Sequence, residues 1–264
     1  MKKILYIHGF NGSPQGHSFQ LFDKHKPEGW TVIGMDYDQS DCTVALQQIR
    51  KTIEREQIDM VVGSSLGGFL TLLLVGIERY VINPCYLPSV ELPKLRPANG
   101  LPAPTEQLID SYAQYEGKLQ DFPLAERRLV TGFFAEDDEL LEDRYYDTFH
   151  DNNGRCVLIP GGHHVSEEGV KMVLQEMSDE VHLLREAHHH SFANHAEVTK
   201  STTCGCFSCL RMFPAKECTF RAETDGRKTA WCPHCDVDAV LGDASGYPIT
   251  KEFLLKMHNY YMAP

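Results

Sequence analysis

Residues 59 to 69 read Asp59-Met60-Val61-Val62-Gly63-Ser64-Ser65-Leu66-Gly67-Gly68-Phe69. Gly63, Ser65 and Gly67 form the pattern G-x-S-x-G between an apolar strand pattern and an apolar helix pattern. A strand that turns sharply into a helix strains the central serine and leaves no room for a Cβ on either side of it. The pattern therefore predicts that Ser65 is a nucleophile and that the N–H of Leu66 points at an oxyanion. The alternative is a glycine-rich turn that binds phosphate or has no ligand.

Strand and helix patterns alternate from residue 1 to about residue 184. The predicted strands are residues 4–7, 31–35, 58–62, 79–82, 128–134 and 156–159. The predicted helices are residues 18–26, 43–57, 66–77, 106–115, 140–150 and 166–185. This alternation predicts an α/β fold in which a parallel sheet carries helices on both faces. Six prolines in the 21 residues of the Pro-rich segment (residues 84–104) exclude a regular helix and predict a cap over the sheet.

Candidate partners for Ser65 follow two later strands. The acidic run Ala135-Glu136-Asp137-Asp138-Glu139 comes after one of them, and Pro160-Gly161-Gly162-His163-His164 comes after the last. The order serine, acid, histidine is the order of an α/β-hydrolase triad. In such a triad the histidine takes the serine proton, and the carboxylate orients the imidazole. Taken singly, an acidic run at a helix start is more often a helix cap, and a lone histidine is usually inert.

The loop after the first strand reads His8-Gly9-Phe10-Asn11. A loop at this position predicts a second oxyanion donor, the backbone N–H of Phe10. The alternative is an ordinary turn from strand to helix.

A family resemblance rests on residues 5–11, 62–69, 138–141 and 161–164. These segments resemble the small bacterial YqiA/YcfP-type esterases of the α/β-hydrolase superfamily over residues 1 to about 184. The resemblance implies a compact α/β-hydrolase that cleaves small acyl esters or thioesters, with Ser65 as nucleophile, Asp138 as triad acid and His164 as base. Asp137 stands where the family often has glycine, and His163 stands where it often has asparagine, so each remains an alternative to its neighbour.

Six of the nine cysteines lie between residues 204 and 235. Cys206, Cys209, Cys232 and Cys235 form two C-x₂-C pairs separated by 22 residues, a spacing typical of zinc ribbons. Redox pairs would need a thioredoxin-like context and disulfides would need an export signal, and the sequence has neither. The pattern predicts one structural zinc per chain, because four sulfurs leave the metal no open position. Cys204 and Cys218 receive no role.

The C-terminal part resembles small uncharacterised bacterial cytoplasmic zinc-ribbon proteins. A helix is predicted over residues 250–261, with Thr250 as N-cap and with Phe253, Leu254 and Met257 on one side. The histidines of residues 188–195 are interpreted as part of a polar linker, with metal binding as the alternative. The predicted domains are a hydrolase domain at residues 1–186, a His-rich linker at 187–203 and a zinc ribbon at 204–264.

Composition narrows the function classes. The chain has 264 residues, of which 42% are hydrophobic, so it can bury a core. A net charge of −12 disfavours nucleic acid as a partner. The absence of a long apolar run and of a signal peptide predicts a cytoplasmic protein without a membrane anchor.

The expected partners are a small acyl-ester substrate and a protein bound through the ribbon. The alternative function is a binding or regulatory protein whose ribbon engages protein or nucleic acid.

Overall fold

A computed structural model describes residues 1–96, 100–119, 122–141 and 144–262. The chain forms two compact units, Met1–Gln175 and Glu176–Pro264. This division comes before the boundary predicted at residue 186. The reason is that the helix Asp179–His189 buries Leu184 and Ala187 in the core of the second unit.

A six-stranded parallel sheet forms the centre of the first unit, with the strand order β2-β1-β3-β4-β5-β6. The strands are β1 (Lys2–Ile7), β2 (Trp30–Met35), β3 (Met60–Ser64), β4 (Glu78–Ile82), β5 (Val130–Ala135) and β6 (Arg155–Ile159). Every residue of β3 is buried, as expected for a central strand of a parallel sheet that is covered on both faces. The two edge strands, β2 and β6, are only partly buried. All six strands predicted from the sequence are therefore confirmed.

Helices cover both faces of this sheet. They are α1 (His17–His25), α2 (Cys42–Glu56), α3 (Leu66–Leu72), α4 (Pro88–Glu91), α5 (Glu106–Glu116), α6 (Leu124–Arg127), α7 (Arg144–Asn152) and α8 (Glu167–Glu176). Leu5 and Ile7 of β1 share a core with α2, α3 and α5. Tyr6 points to the opposite face and packs on Phe22 of α1, since side chains alternate along a strand. The predicted α/β architecture is thus confirmed.

In its described residues, the Pro-rich segment contains only short helical turns, α4 and the 3₁₀ turn Leu92–Lys94, as its prolines predict. Residues 97–99 of this segment lie outside the described residues. The helix predicted over residues 140–150 begins at Arg144 in the structure, and residues 142–143 also lie outside the described part. The helix predicted over residues 166–185 is two helices, α8 and α9 (Asp179–His189).

Helix α3 ends at Leu72, earlier than the predicted residue 77. Carbonyl groups released at this end bind Arg79, whose Nη1 donates to the carbonyl oxygens of Leu72 and Leu74. Its Nη2 donates to the carboxylate of Glu126 and, at 3.1 Å, to the Glu126 carbonyl. The Arg79 side chain is 0% exposed and that of Glu126 is 21% exposed. The early end of α3 therefore gives a buried cation the acceptors that it needs.

Glu126→Gln is expected to lower the free energy of unfolding of the first unit by about 3 kcal/mol, because it leaves the guanidinium of Arg79 buried without a counter-charge. The measurement is urea denaturation in a Trp231→Phe background, in which Trp30 is the sole tryptophan. Glu54→Gln on the exposed side of α2 is the control and should change the value by less than about 0.5 kcal/mol. Equal stabilities for the two variants would contradict a stabilising role for the pair.

The second unit combines short antiparallel strands with helices. β7 (Thr203–Cys206) pairs with β8 (Met212–Pro214) and with β11 (Val240–Gly242), while β9 (Thr219–Ala222) pairs with β10 (Lys228–Trp231). The helices are α9, α10 (His195–Val198) and α11 (Lys251–Tyr261). α11 confirms the predicted terminal helix: Thr250 Oγ1 accepts the N–H of Phe253 at 3.2 Å, and Phe253, Leu254 and Met257 are buried.

The segment predicted as a polar linker, residues 187–203, is folded. Asn194 is buried, its Nδ2 donates to the carbonyls of His190 and Val240 at 2.9 Å each, and its Oδ1 accepts the N–H of Ala230 at 2.8 Å. His190 Nδ1 lies 2.7 Å from Glu197 Oε2. These side-chain contacts replace the apolar periodicity that the segment lacks.

Candidate active site and metal site

The carboxyl ends of four strands bring candidate site residues to one edge of the sheet. His8 follows β1, Ser65 follows β3, Asp138 follows β5 and His163 follows β6. In an open parallel sheet this edge is where ligands bind. A cavity of about 990 Å³ opens there, and Phe10, Ser65, His163 and His164 are among the residues that line it.

Ser65 lies at the turn between β3 and α3 with φ 54° and ψ −120°, a strained conformation for a residue with a side chain. Its N–H donates to the Ile82 carbonyl at 3.0 Å, and its carbonyl accepts the N–H of Cys85 at 3.0 Å. The flanking glycines are required by space. A Cβ on Gly63 would lie 2.2 Å from Thr71 Oγ1, and one on Gly67 would lie 2.2 Å from the Ile7 carbonyl oxygen. The sharp turn predicted from G-x-S-x-G is therefore present.

Asp138 binds His163, the neighbour of the histidine favoured by the sequence. His163 Nδ1 lies 3.1 Å from Asp138 Oδ1 and 3.0 Å from Oδ2, and the two side chains are 6% and 11% exposed. Because a carboxylate only accepts hydrogen bonds, Nδ1 carries a proton, and in the neutral ring Nε2 is the nitrogen with the lone pair. Of the two histidines, His163 is buried and His164 is exposed at the cavity. The structure thus brings Asp138 and His163 together and does not pair His164 with Asp138.

The environment of Asp138 favours its charged form. Burial alone would raise the pKa of this carboxyl, but hydrogen bonds from His163 and from the N–H groups of Leu140 and Leu141 outweigh burial and hold the pKa below its usual range. Those N–H groups lie 2.9 and 3.0 Å from Asp138 Oδ1. Asp137, the alternative acid, is exposed, and its backbone N–H donates to the Gly161 carbonyl at 3.1 Å. Asp138 is therefore an ionised acceptor facing His163.

The loop after β1 lies against the serine. A Cβ on Gly9 would be 2.9 Å from Ser65 Cβ and 3.4 Å from Ser65 Oγ. The loop is held by Tyr37, whose hydroxyl donates to the His8 carbonyl at 2.7 Å. Burial lowers the pKa of His8, so its imidazole stays neutral near pH 7. Across the described residues, the N–H groups of Phe10 and Leu66 donate to no backbone carbonyl.

Two residues that the sequence analysis did not single out hold the histidine loop. Asn83, which follows β4, has a φ of 42° and is 2% exposed. Its Nδ2 donates to the carbonyls of His163 at 3.0 Å and Gly162 at 3.3 Å. Glu139 Oε2 accepts the N–H of His163 at 2.9 Å. A polar residue directly after a buried strand is the one sequence signal that could have identified Asn83.

Cys85 also lines the cavity, next to the serine turn. Burial raises the pKa of its thiol, so the sulfur is protonated at neutral pH. A protonated buried thiol is a poor nucleophile, which leaves the Ser65 hydroxyl as the better candidate.

The four predicted cysteine ligands form one cluster in the second unit. The Sγ atoms of Cys206, Cys209, Cys232 and Cys235 all lie within 4.8 Å of one another. Two of the separations are 3.6 Å, between Cys206 and Cys235, and 3.7 Å, between Cys209 and Cys232. A tetrahedral zinc with Zn–S bonds of about 2.3 Å separates its sulfurs by about 3.8 Å. The cluster is therefore placed to hold a metal ion such as zinc.

The two cysteine pairs have the same local conformation. The N–H of Leu210 donates to the Cys206 carbonyl at 2.8 Å, and that of Asp236 donates to the Cys232 carbonyl at 3.0 Å. Leu210 and Asp236 each have positive φ, 60° and 57°. Because each C-x₂-C pair has this turn, the sulfurs of both pairs point toward one another. Cys204 and Cys218 are in contact with each other and are not part of the cluster.

Within the part of the chain that the structure describes, no helix is both long and apolar enough to span a bilayer.

Solved structures with a similar fold are α/β hydrolases. Est1E from Butyrivibrio proteoclasticus with bound ferulic acid is 14% identical, with a TM-score of 0.53 over 67% of this chain and 88% of that protein. Alpha/beta hydrolase domain-containing protein 10 from mouse is 15% identical, with a TM-score of 0.54 over 69% and 90% of the two chains. A putative hydrolase from Agrobacterium vitis S4 is 12% identical, with a TM-score of 0.53 over 67% and 86%. These likenesses show the fold.

No curated protein matches the sequence significantly. One family model matches residues 3–203, and its description is "Uncharacterised protein family (UPF0227)". This match confirms the YqiA-type resemblance seen in the sequence. Because it spans more than half of the chain, the protein belongs to the family UPF0227.

Proposed function

We propose that the first unit is a serine hydrolase of small acyl esters or thioesters. The observation that carries the proposal is that Ser65, at a strained turn, shares a cavity with His163, whose Nδ1 is bound to Asp138. The α/β-hydrolase fold, which the protein shares with a putative hydrolase from Agrobacterium vitis S4 and with alpha/beta hydrolase domain-containing protein 10 from mouse, supports the same class.

In the proposed reaction, Ser65 Oγ attacks the acyl carbonyl while His163 Nε2 takes the hydroxyl proton. Asp138 accepts the hydrogen bond from Nδ1 and stabilises the imidazolium that forms. The N–H groups of Phe10 and Leu66 donate to the oxyanion. The proton then passes from Nε2 to the leaving alcohol or thiol. Water, activated by the same histidine, hydrolyses the acyl-enzyme and releases the acid.

The cavity favours an apolar acyl group. Five leucines line it, from the Pro-rich segment and from the loop after β5: Leu92, Leu95, Leu101, Leu140 and Leu141. Pockets that bind small molecules are typically lined by apolar side chains with a few polar groups, and here Glu91, Lys94 and Arg96 line the cavity beside the leucines. We assign the leucines to the acyl chain and the serine end to the scissile carbonyl.

The test of the nucleophile is covalent labelling of the full chain with a fluorophosphonate probe. Wild type should be labelled on Ser65, and Ser65→Ala should lose the label, because the probe phosphonylates only an activated serine. Ser64→Ala, at the neighbouring hydroxyl, is the matched control and should keep a label on Ser65. Equal labelling of wild type and Ser65→Ala would reject the proposal and favour the binding or regulatory alternative.

We also propose that the cysteine cluster binds one structural zinc. The converging sulfurs at tetrahedral spacing support this metal, and four thiolates leave no open position for a substrate. When bound, zinc would link the two cysteine pairs and stabilise the second unit. The protein partner of the ribbon and the cytoplasmic location remain predictions.

A further inference from the structure

We propose that Asn83 and Glu139 are positioning residues that together aim the imidazole of His163. This inference rests on the proposed function, because it gives the two residues their effect through the proposed base. Neither residue belongs to the triad from which that function was argued, and Asn83 lies outside the motifs of the sequence analysis.

Both backbone polar groups of His163 are bound by side chains from other loops. Its N–H donates to Glu139 Oε2 at 2.9 Å, and its carbonyl accepts from Asn83 Nδ2 at 3.0 Å. These bonds fix the backbone on each side of the His163 Cα. Only the two side-chain torsions remain, and the bond from Nδ1 to Asp138 restricts them. The direction of Nε2 therefore depends on all three contacts.

Asn83 links the loop of the acid to the loop of the histidine. Its Oδ1 accepts the N–H of Ala135 at 2.8 Å, at the end of β5, while its Nδ2 binds the carbonyls of Gly162 and His163. An amide supplies this combination of one acceptor and two donors, and a carboxylate cannot. Its φ of 42° is one that asparagine tolerates better than most residues. The residue thus ties the end of β5 to the loop that carries His163.

Glu139 is exposed, although it makes a short bond to the peptide of a buried histidine. This bond lowers the pKa of the Glu139 carboxyl, which is consistent with a charged acceptor. Exposed side chains of this kind contribute little to stability. The contact therefore acts mainly on the geometry of the histidine loop, and Glu139 can be tested without loss of the fold.

The test compares Glu139→Ala with Glu139→Gln in the full chain. Alanine removes the acceptor and should lower kcat by about 10- to 100-fold with KM within about twofold, since small misplacements of catalytic groups have effects of that size. Glutamine retains an oxygen acceptor and should restore kcat to within about threefold of wild type. Glu136→Ala, at an exposed acid of the same loop, is the matched control and should leave kcat unchanged.

Asn83→Gly is the second variant, because glycine accepts the positive φ while the amide is lost. It should lower kcat to a similar extent. NMR of the His163 imidazole provides a readout that needs no turnover: the Nδ1–H signal should broaden by exchange in Glu139→Ala and in Asn83→Gly, and should remain sharp in Glu139→Gln. A sharp wild-type signal in both disruptive variants would overturn the inference. A wild-type protein without Ser65-dependent labelling would instead reject the proposed function.

Discussion

His163→Ala is expected to lower kcat for a p-nitrophenyl ester by roughly 10⁴- to 10⁶-fold, the range found when a triad histidine is removed. His164→Ala is expected to lower it by less than about tenfold. The reason is that His163, and not His164, binds Asp138 through Nδ1, so His163 has its Nε2 free to take the Ser65 proton. The measurement is steady-state kinetics of the two single variants beside wild type.

The adjacent histidines make this a matched pair, because each substitution removes the same ring from the same loop. Circular dichroism should show both variants folded, so that the comparison reports on chemistry. The rate of fluorophosphonate labelling should follow the same order as kcat, since the probe also needs a deprotonated serine. A large loss in His164→Ala with a small loss in His163→Ala would reject His163 as the base and restore the histidine that the family resemblance implies.

Much of the fold could be predicted because its signals are local. The strand residues of β3 are continuously apolar, and the turn at Ser65 admits only glycine at residues 63 and 67. Such a turn can be recognised from five residues. The order of strand ends then limits which later loops can reach the serine. It pointed to the acidic run at residues 135–139, within which the family resemblance implied Asp138.

The identity of the histidine could not be fixed in this way. His163 and His164 are adjacent, and the conformation of the loop decides which ring faces Asp138. That conformation depends on Asn83 and Glu139, which lie in other loops. Contacts of this kind join residues distant in sequence, so no pattern within the loop reveals them.

Two other differences between the predicted and the observed structure also involve a polar side chain that bonds backbone groups. Helix α3 has an apolar sequence beyond Leu72 but ends there, and Arg79 donates to the carbonyls of Leu72 and Leu74 at that end. The region around Asn194 lacks apolar periodicity, yet the side chain of Asn194 bonds backbone groups at residues 190, 230 and 240. In both cases one polar side chain satisfies backbone groups that no repeating pattern in the sequence would indicate.

Replacing Cys232 and Cys235 together by serine is expected to remove the metal from the chain and to unfold the second unit while the first unit remains folded. Structural zinc in small domains contributes about 10–16 kcal/mol of apparent binding free energy, which exceeds the stability of a typical small core. Wild type should contain about one zinc per chain by elemental analysis, and the variant should contain none. In a Trp30→Phe background, Trp231 is the sole tryptophan and reports on the second unit alone.

Cys218→Ser makes the same chemical change at a cysteine outside the cluster, and it should keep both the zinc and the wild-type Trp231 fluorescence. Limited proteolysis locates the unfolding: in the double variant, cleavage should fall after residue 175 and leave the first unit intact. A chelator added to wild type under mild denaturant should reproduce the double variant, because it removes the same ion. A second unit that stays folded without metal would show that its apolar core suffices and would reject the structural role of zinc.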